Sequence, residues 1–152
     1  MAIEKIQSFT VDHDKLEPGL YISRVDGSVT TYDLRTRKPN GGDYMDNLTM
    51  HSVEHMLATY LRGGEWGEHI IYFGPMGCQT GFYLLVRGLS PKDAKQALIA
   101  ALESTLTATE MFGATREECG NYRNLSLDAA KAECAAYLDV LKNNKGDFTY
   151  AE

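Results

Sequence analysis

The chain has 152 residues, 43% of them hydrophobic and 24% charged, and a formal net charge of −6. The length predicts one domain over residues 1–152, and the composition excludes a disordered chain or an extended coiled coil. The acidic balance argues against a nucleic-acid partner, and the lack of a long apolar run or a signal peptide argues against a membrane partner, so we expect a cytoplasmic protein.

The first half of the chain predicts a β-hairpin followed by a helix. Residues 20–25 and 29–34 are rich in β-branched and aromatic side chains, and they flank Asp26-Gly27, a strong signal for a tight hairpin turn. A helix is predicted over residues 46–62, with an aspartate as its N-cap and Gly63-Gly64 as its stop. Its apolar residues recur on one face, which we expect to be buried.

The second half predicts two further strands and two helices. His69–Phe73 and Gly81–Arg87 have strand composition, and a glycine-rich turn separates them. Ser90–Phe112 is predicted to be a helix, because serine is a favourable N-cap and proline follows at the first helical position. Ser126 caps a last helix, which ends at Asn143–Gly146. Strands early and helices late favour an α+β fold, with helices packed on an antiparallel β-sheet.

Two histidines and a carboxylate share one face of the first predicted helix. His51, Glu54 and His55 occupy positions i, i+3 and i+4, roughly opposite the apolar stripe. Histidines at this spacing can bind one divalent metal, and a glutamate beside them is placed for general acid–base chemistry. The alternative is a solvated polar face that happens to contain two histidines. The HxxEH pattern therefore predicts a metal-binding helix without completing the site.

A catalytic metal site needs a third protein ligand and an open position, and the sequence offers several candidates for that ligand. Cys119 lies in a short polar segment between two helices, where packing does not explain a cysteine. Cys78, His13 and His69 compete with it, although His69 at a strand start is more typical of a structural residue. Cys78 lies in a glycine-rich turn that suits either a reactive thiol or a small buried side chain. Cys134 has helical spacing with apolar neighbours and is predicted to belong to the core.

The order of these residues resembles the S-ribosylhomocysteine lyase family, the bacterial LuxS proteins of autoinducer-2 production. Each matching segment is weak evidence alone, but together they cover the chain from about Ser8 to the last helix. The matching segments are Ser8–His13, Asp33–Arg35 with Pro39-Asn40, His51–His55, Pro75–Gly81 and Cys119-Gly120. Tyr72–Gly74 departs from the Asp-Ile-Ser of many members, in a segment expected to affect how the homocysteine end of the substrate is held.

The resemblance implies a homodimer with two sites at the subunit interface. It also implies a bound metal, Fe(II) that Zn(II) or Co(II) can replace, with water or substrate in the fourth position. Spacing alone does not give the residue roles. For example, an arginine at the end of a strand, such as Arg35, is typically a surface charge. The implied roles are metal binding for His51, His55 and Cys119, acid–base chemistry for Cys78 and Glu54, and contacts with the sugar end of the substrate for Ser8, His13 and Arg35.

The implied reaction cleaves the thioether of S-ribosylhomocysteine. Two proton-shuttling isomerisations move the carbonyl along the sugar towards the sulfur. A β-elimination then releases homocysteine and 4,5-dihydroxy-2,3-pentanedione, the precursor of autoinducer-2. Three alternatives remain open on the residues alone. They are an inverzincin-type metallopeptidase, which shares the HxxEH pattern, a non-enzymatic structural or storage metal site, and a thiol redox protein that uses Cys78 and Cys119.

Overall fold

The protein is described by a computed structural model that covers residues 2–143 and 148–150. Its strands are β1 (Gly19–Asp26), β2 (Val29–Arg35), β3 (Ile70–Pro75) and β4 (Gly81–Arg87). Its α-helices are α1 (Asn47–Gly63), α2 (Pro91–Thr107) and α3 (Leu127–Asn143), and short 3-10 helices form at Gln7–Phe9 and Gly67–His69.

The four strands form one antiparallel sheet in the order β1-β2-β4-β3. Side chains alternate between its two faces, because successive residues of a strand point to opposite sides. On β2, Tyr32 and Leu34 are fully buried on the face that the helices cover, and Leu34 pairs with Leu20 of β1 and Phe82 of β4. The residue between them, Asp33, therefore faces the opposite side of the sheet. The predicted α+β arrangement is confirmed.

Each helix begins at the residue that the sequence predicted. The side chain of Asp46 accepts a hydrogen bond from the Thr49 N–H at the start of α1. Ser90 and Ser126 cap α2 and α3 in the same way, and each satisfies an N–H of the first turn. The described part of α3 ends at Asn143, and the rest of its predicted stop, residues 144–146, lies outside the described residues.

The predicted end of α2 is wrong: the helix ends at Thr107, before Phe112. Near the end, the hydroxyl groups of Thr105 and Thr107 bond to carbonyls of the preceding turn, and the Ala108 N–H bonds to the Thr105 carbonyl. Such side-chain bonds compete with the regular helical pattern. The chain then leaves the helix, and the Phe112 ring packs edge-on against Tyr60 of α1, 5.1 Å between centroids.

The predicted start of β3 is also wrong, because His69 lies in the preceding 3-10 helix. Its Nδ1 is hydrogen-bonded to the Arg87 carbonyl, 2.9 Å away, which ties this turn to the end of β4. This contact agrees with the structural role expected for His69. Within the described residues, no helix combines the length and apolar character needed to cross a membrane.

The core lies between the sheet and the three helices. The buried side of α1 contributes Val53, Met56 and Leu57, each at most 2% exposed. α2 and α3 complete the layer with Leu98, Leu102, Cys134 and Leu141. Cys134 is 1% exposed, which confirms its predicted core position, and burial raises the pKa of its thiol to about 12. The apolar stripe of α1 is thus used for packing, and the opposite side of the helix is left for chemistry.

Candidate metal centre

α1 and the segment between α2 and α3 bring His51, His55 and Cys119 together. The two imidazole rings are one helical turn apart, with their centroids separated by 4.6 Å. The Cys119 sulfur lies 3.4 Å from His51 Nε2. One ligand atom from each residue lies within 4.8 Å of the others, a spacing that could hold one metal ion. We call these three residues the His-His-Cys triad.

Backbone carbonyls fix the tautomer of both histidines in their neutral form. His51 Nδ1 lies 2.8 Å from the Asn124 carbonyl, and His55 Nδ1 lies 2.9 Å from the Phe112 carbonyl. Because a carbonyl oxygen only accepts, each Nδ1 carries the hydrogen and each Nε2 keeps its lone pair. The Asn124 amide nitrogen is also 3.3 Å from His51 Nδ1, but it is closer to Asn47 Oδ1, to which it donates. Metal-binding histidines are typically oriented in this way.

The segment that carries Cys119 is held against α1 by a buried serine. The Ser52 hydroxyl is fully buried, donates to the Leu48 carbonyl and accepts from the Ser126 N–H. Near Cys119, the Asn121 N–H donates to the sulfur over 3.4 Å. The triad is therefore positioned by hydrogen bonds that do not themselves need a metal.

The donor set fits a divalent transition metal. Two neutral imidazole nitrogens and one thiolate are ligands that suit zinc and iron, and three protein ligands are the usual number at a catalytic site. All three residues are half-buried, so the site is partly accessible to solvent.

Glu54 lies on the same side of α1 as the two histidines. It is half-buried, and within the described residues its carboxylate forms no ion pair or hydrogen bond. Since positions i, i+3 and i+4 are neighbours on a helix, the carboxylate is near the triad without being one of its three members. An unpaired carboxylate in this position is available for proton transfer.

A second polar cluster consists of Asp33, Arg35, Cys78 and Thr80, and we call it the arginine cluster. Arg35 is only 3% exposed, so the surface position typical of a strand-end arginine is wrong here. Its guanidinium contacts Asp33 through Nε and Nη2, at 3.1 and 2.7 Å. Its Nη1 lies 2.8 Å from Thr80 Oγ1 and 3.7 Å from the Cys78 sulfur. The charge of the buried arginine is thus shared between a carboxylate and a thiol.

Cys78 is exposed in the turn between β3 and β4. This location excludes the alternative of a small buried side chain. The sulfur also lies 3.0 Å from the Thr80 hydroxyl, so a hydroxyl and a guanidinium both face it. No hydrogen bond or ion pair among the described residues joins the arginine cluster to the His-His-Cys triad.

The other two residues implied in sugar binding lie in the N-terminal segment. Ser8 is half-buried in the 3-10 helix Gln7–Phe9. His13 is half-buried, and its Nδ1 lies 2.8 Å from the Val11 carbonyl, so its Nε2 keeps a lone pair. Neither His13 nor His69 joins the triad, which leaves Cys119 as the third candidate ligand among the described residues.

A concavity of about 360 Å³ lies on the sheet face opposite the helices. Ser8, Tyr72 and Tyr83 line part of it. Tyr72, which belongs to the segment that departs from the family pattern, is 50% exposed. Its ring lies over Gly74, where an added Cβ would clash with the Tyr72 hydroxyl. A separate cavity of about 400 Å³ lies between α1 and α2, but none of the predicted site residues lines it, so we assign it no role.

Sequence reasoning missed several residues that position these groups. Asp33 and Thr80 hold Arg35, and the alternation of Asp33 and Arg35 on one strand face was a usable signal. The carbonyls of Phe112 and Asn124 left no signal, because every residue type has a carbonyl. Tyr150 donates to Asp33 over 2.7 Å, but it is distant in sequence, so this contact could not be predicted either.

The fold and the triad define a class: an α+β protein with a candidate metal site of two histidines and one cysteine. A family model described as S-ribosylhomocysteinase (LuxS) matches residues 6–147. The chain belongs to this family.

Several relatives carry the name S-ribosylhomocysteine lyase. The protein from Borreliella afzelii (strain PKo) is 45% identical over 150 residues, which cover 94% of this chain and 96% of the relative. The relative from Desulfotalea psychrophila is 42% identical over 150 residues, which cover 93% of this chain and 94% of the relative. The relative from Clostridium acetobutylicum is 42% identical over 152 residues, which cover 95% of this chain and 96% of the relative. These matches favour the lyase over the peptidase, redox and non-enzymatic alternatives.

Proposed function

We propose that this chain is a carbon–sulfur lyase that cleaves S-ribosylhomocysteine to homocysteine and 4,5-dihydroxy-2,3-pentanedione. The observation that carries the proposal is the His-His-Cys triad within a chain that belongs to the S-ribosylhomocysteinase family. In this proposal residues 1–152 act as one lyase domain. The product is the precursor of autoinducer-2.

His51, His55 and Cys119 are the residues that would hold the metal, which we propose to be Fe(II), replaceable by Zn(II) or Co(II). When bound, such a metal supplies Lewis-acid chemistry towards an oxygen of the substrate. The fixed Nδ1 hydrogens of the two histidines leave both Nε2 lone pairs free for this purpose.

Cys78 is proposed to move protons between adjacent carbons of the sugar. As a thiolate it removes a proton from one carbon and, as the resulting thiol, returns it to the neighbouring carbon. Two such transfers bring the carbonyl to a position from which the C–S bond is β. Arg35 and Thr80 support this role, because both face the Cys78 sulfur.

Glu54 is proposed to exchange protons with the substrate oxygens and to assist the elimination. In the last step a proton leaves the carbon between the carbonyl and the C–S bond. The electron pair forms a C=C bond, and the C–S bond breaks to release homocysteine thiolate, which takes up a proton. No oxidant or reductant is needed. The unpaired, half-buried carboxylate of Glu54 beside the triad suits this role.

Ser8, His13 and Arg35 are proposed to contact the sugar end of the substrate. Each carries a hydrogen-bonding group that suits a polyhydroxylated ligand. Ser8 lines the concavity on the open sheet face, and the Nε2 lone pair of His13 is free to accept.

We further propose a homodimer in which each site combines the triad of one chain with the arginine cluster of the other. Two observations support this arrangement. α1 packs on one face of the sheet, whereas Asp33 and Arg35 belong to the opposite face. In addition, two apolar side chains of the N-terminal segment are exposed to solvent: Ile6 is 59% exposed and Phe9 is 68% exposed. Exposed apolar surface of this kind is typical of an interface.

The proposed function is tested by following both products. Anaerobically purified protein loaded with Fe(II) or Co(II) is mixed with S-ribosylhomocysteine, and homocysteine is measured with a disulfide dye after correction for protein thiols. The diketone is trapped with an aromatic diamine and quantified by mass spectrometry. We expect repeated turnover and equal amounts of both products. A folded, metal-loaded protein that releases neither product contradicts the proposal.

A further inference from the structure

Residues 148–150 lie beside the edge strand β1 and reach the arginine cluster. The Phe148 carbonyl accepts a hydrogen bond from the Ile22 N–H, 2.7 Å away. The Tyr150 ring stacks on Tyr21, with centroids 5.0 Å apart and planes 16° apart. Its hydroxyl donates to Asp33 Oδ2 over 2.7 Å. A residue more than one hundred positions away in sequence thus completes the surroundings of a buried carboxylate.

A continuous series of contacts runs from Tyr150 to the sulfur of Cys78. Asp33 Oδ2, which accepts from Tyr150, also accepts from Arg35 Nη2, and Asp33 Oδ1 accepts from Arg35 Nε. The remaining guanidinium nitrogen, Nη1, faces Thr80 Oγ1 and the Cys78 sulfur. Because the guanidinium is planar and rigid, fixing one edge on Asp33 also fixes where Nη1 points.

We propose that Tyr150 is a positioning residue for Cys78, acting through Asp33 to hold Arg35 with its charge directed at the thiol. The inference deepens the proposed function, since it rests on the proton-transfer role given to Cys78. Asp33 is 2% exposed and Arg35 3%, so little water reaches either group. A buried carboxylate needs donors to stabilise its charge. When Tyr150 supplies one donor, less of the Arg35 charge is offset by Asp33 and more acts on Cys78.

The groups that face the arginine cluster do not change their charge over the pH range in which a thiol ionises. Burial, reinforced by Asp33, raises the pKa of Tyr150, so its hydroxyl stays a protonated donor. Among the described residues, three further titratable groups that act on Asp33 or Cys78 are phenols whose pKa values burial also raises, and they remain neutral: Tyr21 on β1, Tyr83 on β4 and Tyr137 on α3. Arg35 remains charged. A pH-dependent change at Cys78 therefore does not arise from ionisation of these neighbours.

The test removes the Tyr150 hydroxyl and measures the reactivity of Cys78. Zn(II)-loaded Tyr150→Phe protein is alkylated with iodoacetamide at a series of pH values, and the peptide that contains Cys78 is quantified by mass spectrometry. We expect the midpoint of the pH profile to rise by about half a unit, equivalent to about threefold slower alkylation below the midpoint. Tyr21→Phe is the matched control, because it removes the hydroxyl of the other stacked ring, which donates to the Glu17 carbonyl instead.

A second variant, Asp33→Asn, tests whether Tyr150 affects the reactivity of Cys78 through Asp33. In Asp33→Asn protein, Tyr150→Phe is expected to lose most of its effect, because a neutral amide has no negative charge for the hydroxyl to stabilise. A wild-type profile for Tyr150→Phe, an equal shift in Tyr21→Phe, or an undiminished shift in the Asp33→Asn background overturns the proposal. Alkylation requires no turnover, so failure of the lyase reaction in wild-type protein is a separate result.

Discussion

Each histidine of the triad is held by a backbone carbonyl, and one of those carbonyls depends on a glycine. Gly113 follows Phe112, has a φ of +65°, and lies against the His55 ring. A Cβ at Gly113 would be 2.8 Å from His55 Nδ1, the atom that bonds to the Phe112 carbonyl. The absence of a side chain therefore allows the ring and the carbonyl to approach.

Gly113→Ala is expected to displace the His55 ring and to weaken metal binding. Loss of such an outer contact typically costs about 10- to 100-fold in affinity. Gly42→Ala is the matched control, since Gly42 also has a positive φ, +85°, but a Cβ there meets nothing within 4 Å. Competition with a chelator for Zn(II) measures both affinities. Equal losses in the two variants would show that backbone strain, not the His55 contact, is responsible.

Cys78→Ala and Glu54→Gln are expected to retain the metal and lose turnover. Neither residue belongs to the His-His-Cys triad, and each is proposed to transfer protons. An acid–base residue typically contributes about 10²–10⁴-fold to the rate. Metal content by atomic emission and the rate of homocysteine release are measured on the same samples. Loss of metal from either purified variant would contradict these roles.

Residue types with distinctive chemistry were predictable from the sequence, but their partners were not. His51 and His55 were recognisable because two histidines and an acid at helical spacing are uncommon. The pairing of Arg35 with Asp33 had a signal in their alternation on β2, but the contact of Tyr150 with Asp33 did not, because Tyr150 lies far along the chain. Contacts between side chains distant in sequence require the fold before they can be seen.

At the scale of elements, α1 is joined to the segment that supplies Cys119 through Ser52. We expect Ser52→Ala to lower the free energy of unfolding by about 1–3 kcal/mol, because the Ser126 N–H loses its acceptor at the start of α3. Thr59→Ala is the control on the same helix, since its exposed hydroxyl bonds, within the described part of the chain, only to the His55 carbonyl. Chemical denaturation of the metal-free proteins measures both changes. A loss in Thr59→Ala as large as in Ser52→Ala would contradict the assigned role.

Helix starts were predicted well, and one helix end was not. Asp46, Ser90 and Ser126 cap their helices through bonds within three residues, so the local sequence contains the whole signal. The end of α2 at Thr107 depends on where the chain goes next, because Phe112 must pack on Tyr60 and present its carbonyl to His55. Tertiary contacts of this kind override a helical pattern that continues in the sequence.

At the scale of the whole molecule, the two groups of proposed catalytic residues lie on different elements of the chain. Glu54 is on α1 beside the triad, whereas Cys78 is in the turn between β3 and β4, beside Arg35 on the open sheet face. The β-branched and aromatic composition on either side of Asp26-Gly27 predicted the hairpin of β1 and β2. The local sequence could not predict that the His-His-Cys triad and the arginine cluster lie apart in the fold. Their separation depends on which face of the sheet the helices cover.

The most direct test of the central claim is homocysteine release by a mixed dimer of Cys78→Ala and Glu54→Gln chains, co-expressed with different tags and purified through both. If each site takes its triad and Glu54 from one chain and Cys78 from the other, one of the two sites is intact. The mixed dimer then recovers about half of the wild-type rate, while each homodimer stays inactive. A mixed dimer as inactive as the homodimers, alongside active wild-type protein, would contradict a site shared between two chains.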